Sequence, residues 1–298
     1  TYCWGEDLYK KGVRPFSEVA EGRMTVKEFL AQMTDEEVAH LLGGQPNTGV
    51  ANTFGWGNMP EYGIPNCMTA DGPAGLRIAP ECGVTTTAWP CATLLAATWN
   101  PNVVYQVGAA GGKEVKENNI AAWLTPALNI HRSPLCGRNF EYYSEDPLLA
   151  GVLAGAMVKG IQSQGVAATV KHFALNNKET DRKHSDSRVS ERAAREIYLK
   201  AFEYVIKGAK PWAVMSSYNI INGCYASENK ELLEDILRDE WGFDGMVTTD
   251  WWTLGEHYKE VKAGNDMKMA CGDPKRLKEA MDQGLLTRQD LEHCAERV

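Results

Sequence analysis

The chain has 298 residues, of which 44% are hydrophobic and 23% charged, and its formal net charge is −8 at pH 7. This composition is typical of a globular protein with one large domain or two modest ones. The negative charge excludes a basic surface for nucleic acid or anionic lipid, and no apolar run approaches the ~18 residues that span a membrane.

Helical and extended segments alternate along most of the chain. TVKEFLAQMTDEEVAHLLGG predicts one or two short helices with Thr25 as the N-cap, and a Gly-, Asn- and Pro-rich stretch through MPEYGIP predicts a loop. Seven short apolar runs then predict strands: NCMTADG, TLLAATWN, AAWLTPALNI, VAATVKHFA, WAVMSSYN, GMVTTDWW and DMKMACG. Amphipathic stretches that predict helices lie between most of them: NVVYQVGAAGGKEVKENN, LLAGVLAGAMVKGIQSQG, SERAAREIYLKAFEYVIKG and NKELLEDILRDEWG.

This alternation indicates βαβ units and a parallel sheet, and the continuously apolar strands indicate burial on both faces. We therefore predict an α/β fold, a (β/α)8 TIM-like barrel that is irregular or incomplete in its first strands. An open doubly wound sheet is the weaker alternative, because no G-x-G-x-x-G motif follows the first strand.

The two ends of the chain lack boundary signals. TYCWGEDLYKK has neither an initiator Met nor the regions of a signal peptide, and LTRQDLEHCAERV predicts a helix capped by Thr287 with no C-terminal stop. We therefore expect part of a longer polypeptide, with residues 1–23 as an extension or linker and residues 24–298 as one barrel domain. Because TYCWGEDLYKK shows no signal-peptide regions, we expect a cytoplasmic location.

Polar residues close five of the apolar runs. These are Asp71, the pair His131 and Arg132, the pair Lys171 and His172, the pair Tyr218 and Asn219, and Asp250. Because the C-terminal ends of the strands form the active-site face of a barrel, we expect all five sets to meet in one small volume.

The residue types in this set suit a sugar ring. The ring's C–H face packs on an indole, and its hydroxyls bond to charged groups such as Asp71, Asp250, Lys171 and Arg138. A phosphate site would show a glycine-rich loop or helix N-terminus after a strand. A metal site would need ligands at recognisable spacings, and the cysteines include no C-x-x-C pair. We predict a sugar site without metal or cofactor.

Five motifs, in this order along the chain, resemble the barrel domain of glycoside hydrolase family 3, and more narrowly its β-glucosidase-type members. They are DGPAGLR (71–77), GRNFEYYSEDP (137–147), KHFALNNKETDRKHSDSRVSERAAREIYLKAF (171–202), VMSSYNIINGCYASEN (214–229) and LRDEWGFDGMVTTDWW (237–252). The resemblance runs from about Met24 to the C-terminus.

The resemblance implies that Asp250 is the catalytic nucleophile, since it matches the Asp of the family's SDW segment, with Thr249 where Ser is common. Trp251 would form a wall of the sugar subsite. The other matched residues surround the same sugar in the family: Asp71, Arg138, Lys171, His172, Met215 and Tyr218. The implied activity is that of a retaining exo-β-glycosidase, a β-glucosidase acting on terminal non-reducing β-linked sugars of β-glucosides or oligosaccharides.

A retaining enzyme needs an ionised nucleophile and a second carboxyl group about 5 Å away. We expect Lys171 and Arg138 to hold the pKa of Asp250 down. In β-glucosidase-type relatives the second group is a Glu on an α/β sandwich domain that these residues do not include, so the resemblance implies a further domain or chain as a partner. Glu141 and Glu179 are expected to form structural ion pairs.

Three alternatives stay open. His184 and Asp186 would be the acid/base pair used by relatives that cleave N-acetylglucosamine, although those carry a KHFPGHG-like segment where this chain has KHFALNN. A non-hydrolytic sugar-binding barrel would keep the pocket without a complete acid/base pair. A lyase or isomerase would use Lys171 as a Schiff-base amine.

Overall fold

The computed structural model describes residues 4–298, so residues 1–3 of the predicted extension lie outside it. The described residues form nine strands: β1 (Gly55–Met59), β2 (Ile64–Ala70), β3 (Ala122–Trp123), β4 (Ala167–Phe173), β5 (Asp186–Ser187), β6 (Ala213–Ser216), β7 (Ile220–Ile221), β8 (Cys224–Tyr225) and β9 (Met246–Thr249). Six of them form a central sheet in the order β1-β2-β3-β4-β6-β9, and β5-β7-β8 form a small separate sheet.

The central sheet is parallel from β2 to β9, and β1 pairs with β2 in the antiparallel sense. Isolated bridges continue it from β9 back to β1: Thr248 to Met267, Gly43 to Lys268, and Gln45 to Gly55. The circuit of strands and bridged segments is therefore closed. This confirms the predicted TIM-like barrel, whose irregular part is the β1–β2 hairpin with the segments bridged beside it.

The same residues form eleven α-helices: α1 (Ser17–Ala20), α2 (Val26–Leu30), α3 (Asp35–Leu41), α4 (Ala92–Ala97), α5 (Pro101–Glu117), α6 (Pro147–Gln162), α7 (Glu191–Ala193), α8 (Lys200–Ala209), α9 (His257–Lys262), α10 (Pro274–Asp282) and α11 (Arg288–Ala295). Two segments, Ala194–Tyr198 and Glu231–Glu240, are π-helical. Thr25, Thr34 and Thr287 each form a capping box, which confirms the predicted helix starts at Thr25 and Thr287.

The main core lies between the sheet and the helices outside it. Phe173 of β4 packs edge-on against Phe202 of α8 and Trp241, with ring centroids 5.0 and 5.8 Å away. Helices α5 and α6 approach so closely that a Cβ on Gly108 would lie 2.6 Å from the carbonyl oxygen of Met157. Glycine at that position therefore sets how tightly the outer layer packs.

Three sequence predictions were wrong. DMKMACG forms no strand and contributes only isolated bridges at Met267 and Lys268. TLLAATWN forms helix α4, not a strand, and buries Ala92, Leu95 and Ala96 at helical spacing. Short apolar runs do not distinguish strand from helix, and Ala and Leu favour the helix. The stretch predicted as a loop contains strand β1, where a Cβ on Gly55 would lie 2.7 Å from the carbonyl oxygen of Cys67. Its glycines permit close backbone pairing.

A second core joins the two ends of the described chain. It packs α2 and α3 against α10 and α11, with Phe29, Leu41 and Leu291 among its buried residues. Val13 and Phe16 pack against this core from the predicted extension. The domain boundaries themselves stay a prediction. Among the described residues, no helix combines the length and apolar character that a membrane crossing requires.

Candidate active site

The C-terminal ends of the parallel strands surround one cavity of about 280 Å³. Asp71 directly follows β2, Asp250 directly follows β9, and the pair Lys171–His172 lies near the end of β4. Met215 belongs to β6, Tyr218 follows it, and Arg138 comes from the loop after β3. The eight residues that the resemblance implied for the site all line this cavity: Asp71, Arg138, Lys171, His172, Met215, Tyr218, Asp250 and Trp251.

Asp250 is 8% exposed, and its two oxygens have different surroundings. Oδ1 accepts a hydrogen bond from the backbone N–H of Trp251 at 2.7 Å. Oδ2 is buried and has no hydrogen-bond partner among the described residues. A buried carboxylate oxygen without a partner is costly, so this position is built for a group that arrives from outside.

Burial raises the pKa of Asp250 above its usual value, while Arg138, the N–H of Trp251, Lys171 and Arg182 act to lower it. The predicted net lowering by Lys171 and Arg138 was therefore wrong in direction. The cations oppose the shift as expected, but the loss of water around the carboxylate outweighs them.

His172 is a neutral side chain in this site. Burial and then the nearby charge of Arg138 hold the pKa of His172 well below its usual value. Arg138 Nη2 donates to His172 Nε2 at 2.9 Å, so the ring proton lies on Nδ1, which is 3.3 Å from the Tyr142 hydroxyl. The 3.8 Å separation of His172 Nε2 and Asp250 Oδ2 is consequently not an ion pair.

Asp71 and Lys171 form the second charged pair of the cavity. Lys171 Nζ lies 2.9 Å from Asp71 Oδ1, and Arg77 lies 3.3 Å from Asp71 Oδ2. Burial acts to raise the pKa of Asp71, but the charge and hydrogen bond of Lys171 dominate with smaller help from Arg77, and the pKa falls to about 2. Asp71 is therefore an acceptor for hydroxyls and not a proton donor.

Tyr218 and Trp251 are tied to each other and to a residue that sequence analysis missed. The Tyr218 hydroxyl donates to the backbone carbonyl of Trp251 at 2.6 Å, and Trp251 Nε1 donates to Thr53 Oγ1 at 2.6 Å. The guanidinium of Arg182 lies over the Tyr218 ring, 4.4 Å from its centroid. These contacts fix the indole as one wall of the cavity.

Four lining residues were not predicted: Asn52, Thr53, Leu124 and Arg182. Arg182 lies in the segment NNKETDR, within the third of the five motifs that carry the family resemblance. A cation eleven residues beyond Lys171, in the loop that follows β4, was the available signal. Asn52 and Thr53 precede the unrecognised strand β1, so no predicted strand end pointed to them.

Of the five sets of polar residues that close the apolar runs, two have members that do not line the cavity. His131 Nε2 contacts the backbone carbonyls of Asn139 and Tyr142 at 2.9 and 3.0 Å, and Arg132 lines a different pocket. The amide of Asn219 donates to the carbonyl of Ala174 at 3.2 Å. The side chains of His131 and Asn219 bond to backbone carbonyls and Arg132 lines another pocket, so the prediction that all five sets converge was wrong for these three residues.

The structure also contradicts a His184–Asp186 pair. His184 Nδ1 lies 2.7 Å from Asp181, and Asp186 lies 2.7 Å from Arg188. Neither His184 nor Asp186 lines the cavity. His184 ends a turn and Asp186 begins strand β5, with Ser185 as the one residue between them.

The ion pairs predicted for Glu141 and Glu179 are confirmed. Glu141 is buried, bonds to Arg138 Nε, and lies 3.8 Å from Lys171 Nζ. Glu179 lies 3.0 Å from Arg182. Within residues 4–298, no three His, Cys, Asp or Glu side chains are grouped as a metal ion would require.

Comparison with known proteins gives the same assignment along the chain. The glycosyl hydrolase family 3 N terminal domain matches residues 58–298. Beta-glucosidase A of Butyrivibrio fibrisolvens is 65% identical over 279 residues, which are 94% of this chain and 34% of that protein. The exo-alpha-(1->6)-L-arabinopyranosidase of Bifidobacterium longum is 45% identical over 274 residues, which are 89% of this chain and 35% of that protein.

The fold agrees as well. Beta-glucosidase 3B from Thermotoga neapolitana, solved in complex with alpha-D-glucose, superposes with a TM-score of 0.88 at 43% identity, covering 92% of this chain and 42% of that one. The chain spans about a third of the length of the curated relatives it matches. On the family match, the shared barrel and the identity over nearly its whole length, this chain belongs to glycosyl hydrolase family 3, in the region of the family's N-terminal domain.

Proposed function

We propose that these residues form the barrel of a retaining exo-β-glycosidase, a β-glucosidase, in which Asp250 attacks the anomeric carbon of a terminal non-reducing sugar. The observation that supports this most is the carboxylate of Asp250. One of its oxygens is held by the backbone of Trp251, and the other is buried beside the cavity without a partner among residues 4–298.

In the first step, an oxygen of the Asp250 carboxylate bonds to the anomeric carbon as the bond to the leaving oxygen breaks, which gives a glycosyl-enzyme intermediate. Water then opens that bond, and the sugar keeps its β configuration. The guanidinium of Arg138 and the ammonium of Lys171 stabilise the carboxylate when it is the leaving group of the second step.

The remaining cavity residues have roles in gripping the sugar. Asp71, kept ionised by Lys171, accepts hydrogen bonds from hydroxyls, and Lys171 and Arg138 donate to hydroxyl oxygens. Trp251 packs against the C–H face of the ring. Met215, Tyr218 and His172 complete the walls and limit rotation of the ring.

The acid/base is a Glu on a further domain or chain. Such an enzyme must protonate the leaving oxygen, and the carboxyl groups near Asp250 are poor donors. Lys171 keeps Asp71 ionised, and Glu141 and Glu179 are paired with arginines. The α/β sandwich domain is the proposed source, and the cytoplasmic location stays a prediction.

Glucose is the proposed sugar, because the relative with 65% identity is named a beta-glucosidase. The relative with 45% identity, named an arabinopyranosidase, makes arabinopyranose the informative competitor. L-arabinopyranose lacks the hydroxymethyl group of glucose and has the opposite configuration at C4, so the pocket around these two positions decides between the sugars.

The test uses 2,4-dinitrophenyl β-glucoside, whose leaving group departs without protonation. We expect a burst of dinitrophenolate, and sugar products that NMR identifies as β-configured, with azide accelerating the second step. The matched control is the α-glucoside, which must stay intact. Binding without release would establish a sugar-binding protein instead, and an initial α product would exclude the retaining mechanism. The same assay with the α-L-arabinopyranoside compares the two sugars.

A further inference from the structure

Glu179 does not line the cavity, yet it contacts both arginines that do. Its Oε2 lies 3.0 Å from Arg182 Nη1, and its Oε1 lies 3.9 Å from Arg138 Nη1. The amide of Asn176, which is buried, donates to the same Oε1 at 3.3 Å. The carboxylate is therefore held against the two guanidinium groups and outside the lining of the cavity.

The two guanidinium groups reach opposite parts of the site. Arg182 lies over the ring of Tyr218, whose hydroxyl holds the backbone carbonyl of Trp251. Arg138 donates to Nε2 of His172, which lies 3.8 Å from Asp250 Oδ2. The orientation of each arginine thus sets the position of a different wall around Asp250.

Two cations that face one small cavity repel each other, and the repulsion is strong where water is scarce. Glu141 bonds to Arg138 and lies near Lys171, but it makes no ion pair with Arg182 among the described residues. Glu179 is the carboxylate that contacts both arginines. Its loss would leave Arg182 without its ion-pair partner and free to leave the face of Tyr218.

We infer that Glu179 is a positioning residue, which fixes the guanidinium groups of Arg138 and Arg182 at the cavity and offsets their charge at Asp250. The inference rests on the proposed function, since it assigns Glu179 a part in preparing the nucleophile. It acts through the arginines and does not touch the sugar.

The charge of Glu179 has a consequence for titration that a purely structural residue would lack. Charged or titratable groups face Asp250 from several elements: Arg138, Lys171, His172, Arg182 and Tyr218. Arg138 and Arg182 lower the pKa of Asp250 against the effect of burial. Without the negative charge of Glu179, the positive charges of Arg138 and Arg182 act more strongly on Asp250, so the pKa of Asp250 should fall.

The experiment compares Glu179→Gln, which keeps the shape and one acceptor oxygen but removes the charge, with Glu179→Ala, which removes the whole carboxylate. The control is Glu196→Gln, an exposed carboxylate paired with Arg192 outside the cavity. The rate of inactivation by dinitrophenyl 2-deoxy-2-fluoro-β-glucoside is measured against pH and concentration. In Glu179→Gln the low-pH limb of the inactivation rate, which reports the titration of Asp250, should move to lower pH by about half a unit or more.

Glu179→Ala should in addition weaken inactivation by roughly 10- to 100-fold, because a misplacement of about 1 Å in a catalytic group costs on the order of 100-fold. Glu179→Gln should recover most of that loss, and Glu196→Gln should match the unmodified protein. Circular dichroism confirms that each variant is folded. An unshifted acid limb in Glu179→Gln would overturn the inference while leaving the proposed function in place.

A second readout does not depend on catalysis. The carboxyl of Asp250 is titrated by ¹³C NMR in aspartate-labelled protein, with its signal assigned by Asp250→Asn. If the unmodified protein is not inactivated by the reagent, the proposed function fails, and this titration still decides whether Asp250 responds to Glu179. A lower pKa in Glu179→Gln supports the inference, and an unchanged pKa refutes it.

Discussion

Two buried aspartates, Asp266 and Asp250, lie beside opposite ends of strand β9, and their carboxylate oxygens make different contacts. Near the start of the strand, Asp266 Oδ2 accepts from the N–H of Val247 and from Arg238, each at 2.7 Å. Its Oδ1 has no hydrogen-bond partner among residues 4–298 but lies 3.1 Å from Arg297 Nε in an ion pair. At the end of the strand, Asp250 accepts one backbone N–H through Oδ1, and Oδ2 has no partner among the described residues.

Burial raises the pKa of both groups, to about 6 for Asp266, against the nearby arginines. The difference lies in how the surrounding cations are used. Around Asp266, Arg238 and Arg297 contact the carboxylate directly. Around Asp250, Arg138 and Lys171 contact other residues, namely Glu141, His172 and Asp71. A directly paired carboxylate stabilises the barrel, whereas an open one is available to a ligand, in line with the two faces of this fold.

The largest effect is expected from Asp250→Asn. We expect the rate of dinitrophenolate release in the burst to fall by about 10³-fold or more, because the covalent intermediate cannot form. The free energy of unfolding should change by less than about 1 kcal/mol or rise, since an unpartnered buried charge is removed. Rates and urea unfolding are both measured. An undiminished burst would show that the open oxygen is not the reacting one.

The opposite variant, Asp266→Ala, should act on stability. It leaves Arg238 and Arg297 with Glu234, 3.8 and 2.9 Å away, as their remaining carboxylate, and breaking a buried pair costs about 3–5 kcal/mol. Urea unfolding measures the loss. The control Asp244→Ala removes an exposed carboxylate and should stay within about 0.5 kcal/mol. A loss as small as that of the control would mean that the direct pairing contributes little.

A smaller effect is expected from Asp71→Asn. Lys171 loses a charged partner at 2.9 Å, and the sugar loses a charged acceptor. Charged hydrogen bonds contribute roughly 1.5–3 kcal/mol, so sugar affinity should fall about 10- to 100-fold. The inhibition constant of a competing monosaccharide measures it. Unchanged affinity would remove Asp71 from the set of residues that grip the sugar.

The smallest predicted effect is on the pH dependence of stability. The folded pKa of Asp266, about 6, lies above the unfolded value, so its contribution is present at low pH and is lost as pH rises through 6. Lowering the pH from 7 to 5 should therefore favour folding by about 1 kcal/mol through this group. Urea unfolding curves at both pH values, compared between the unmodified chain and Asp266→Asn, isolate the contribution of Asp266. A decrease of the same size would contradict the sign.

The sequence was informative where a residue sits at a strand end. Asp71, Lys171 and Asp250 could be placed at one cavity because parallel strands end on the same face. Arg138 and Met215 depended on resemblance, since one lies on a loop and the other inside β6. The family match and the barrel confirm the recognised family and fold.

The rest depended on contacts that periodicity does not encode. His131 and Asn219 also follow apolar runs, but their side chains bond to backbone carbonyls of nearby turns. The direction of the Asp250 pKa shift depended on the balance between burial and three cations, one of them the unpredicted Arg182. Loop conformation and desolvation set both outcomes, and neither can be calculated from residue spacing.

The most direct measurement is mass spectrometry of the protein after inactivation by a 2-deoxy-2-fluoro-β-glucosyl fluoride, followed by peptide mapping. The expected result is one fluoroglucosyl group per chain, on the peptide GMVTTDWW (245–252) and attached to Asp250. A fluoroglucosyl group attached to Asp71, Glu141 or Glu179 instead would contradict the assignment of Asp250 as the open, reacting carboxylate.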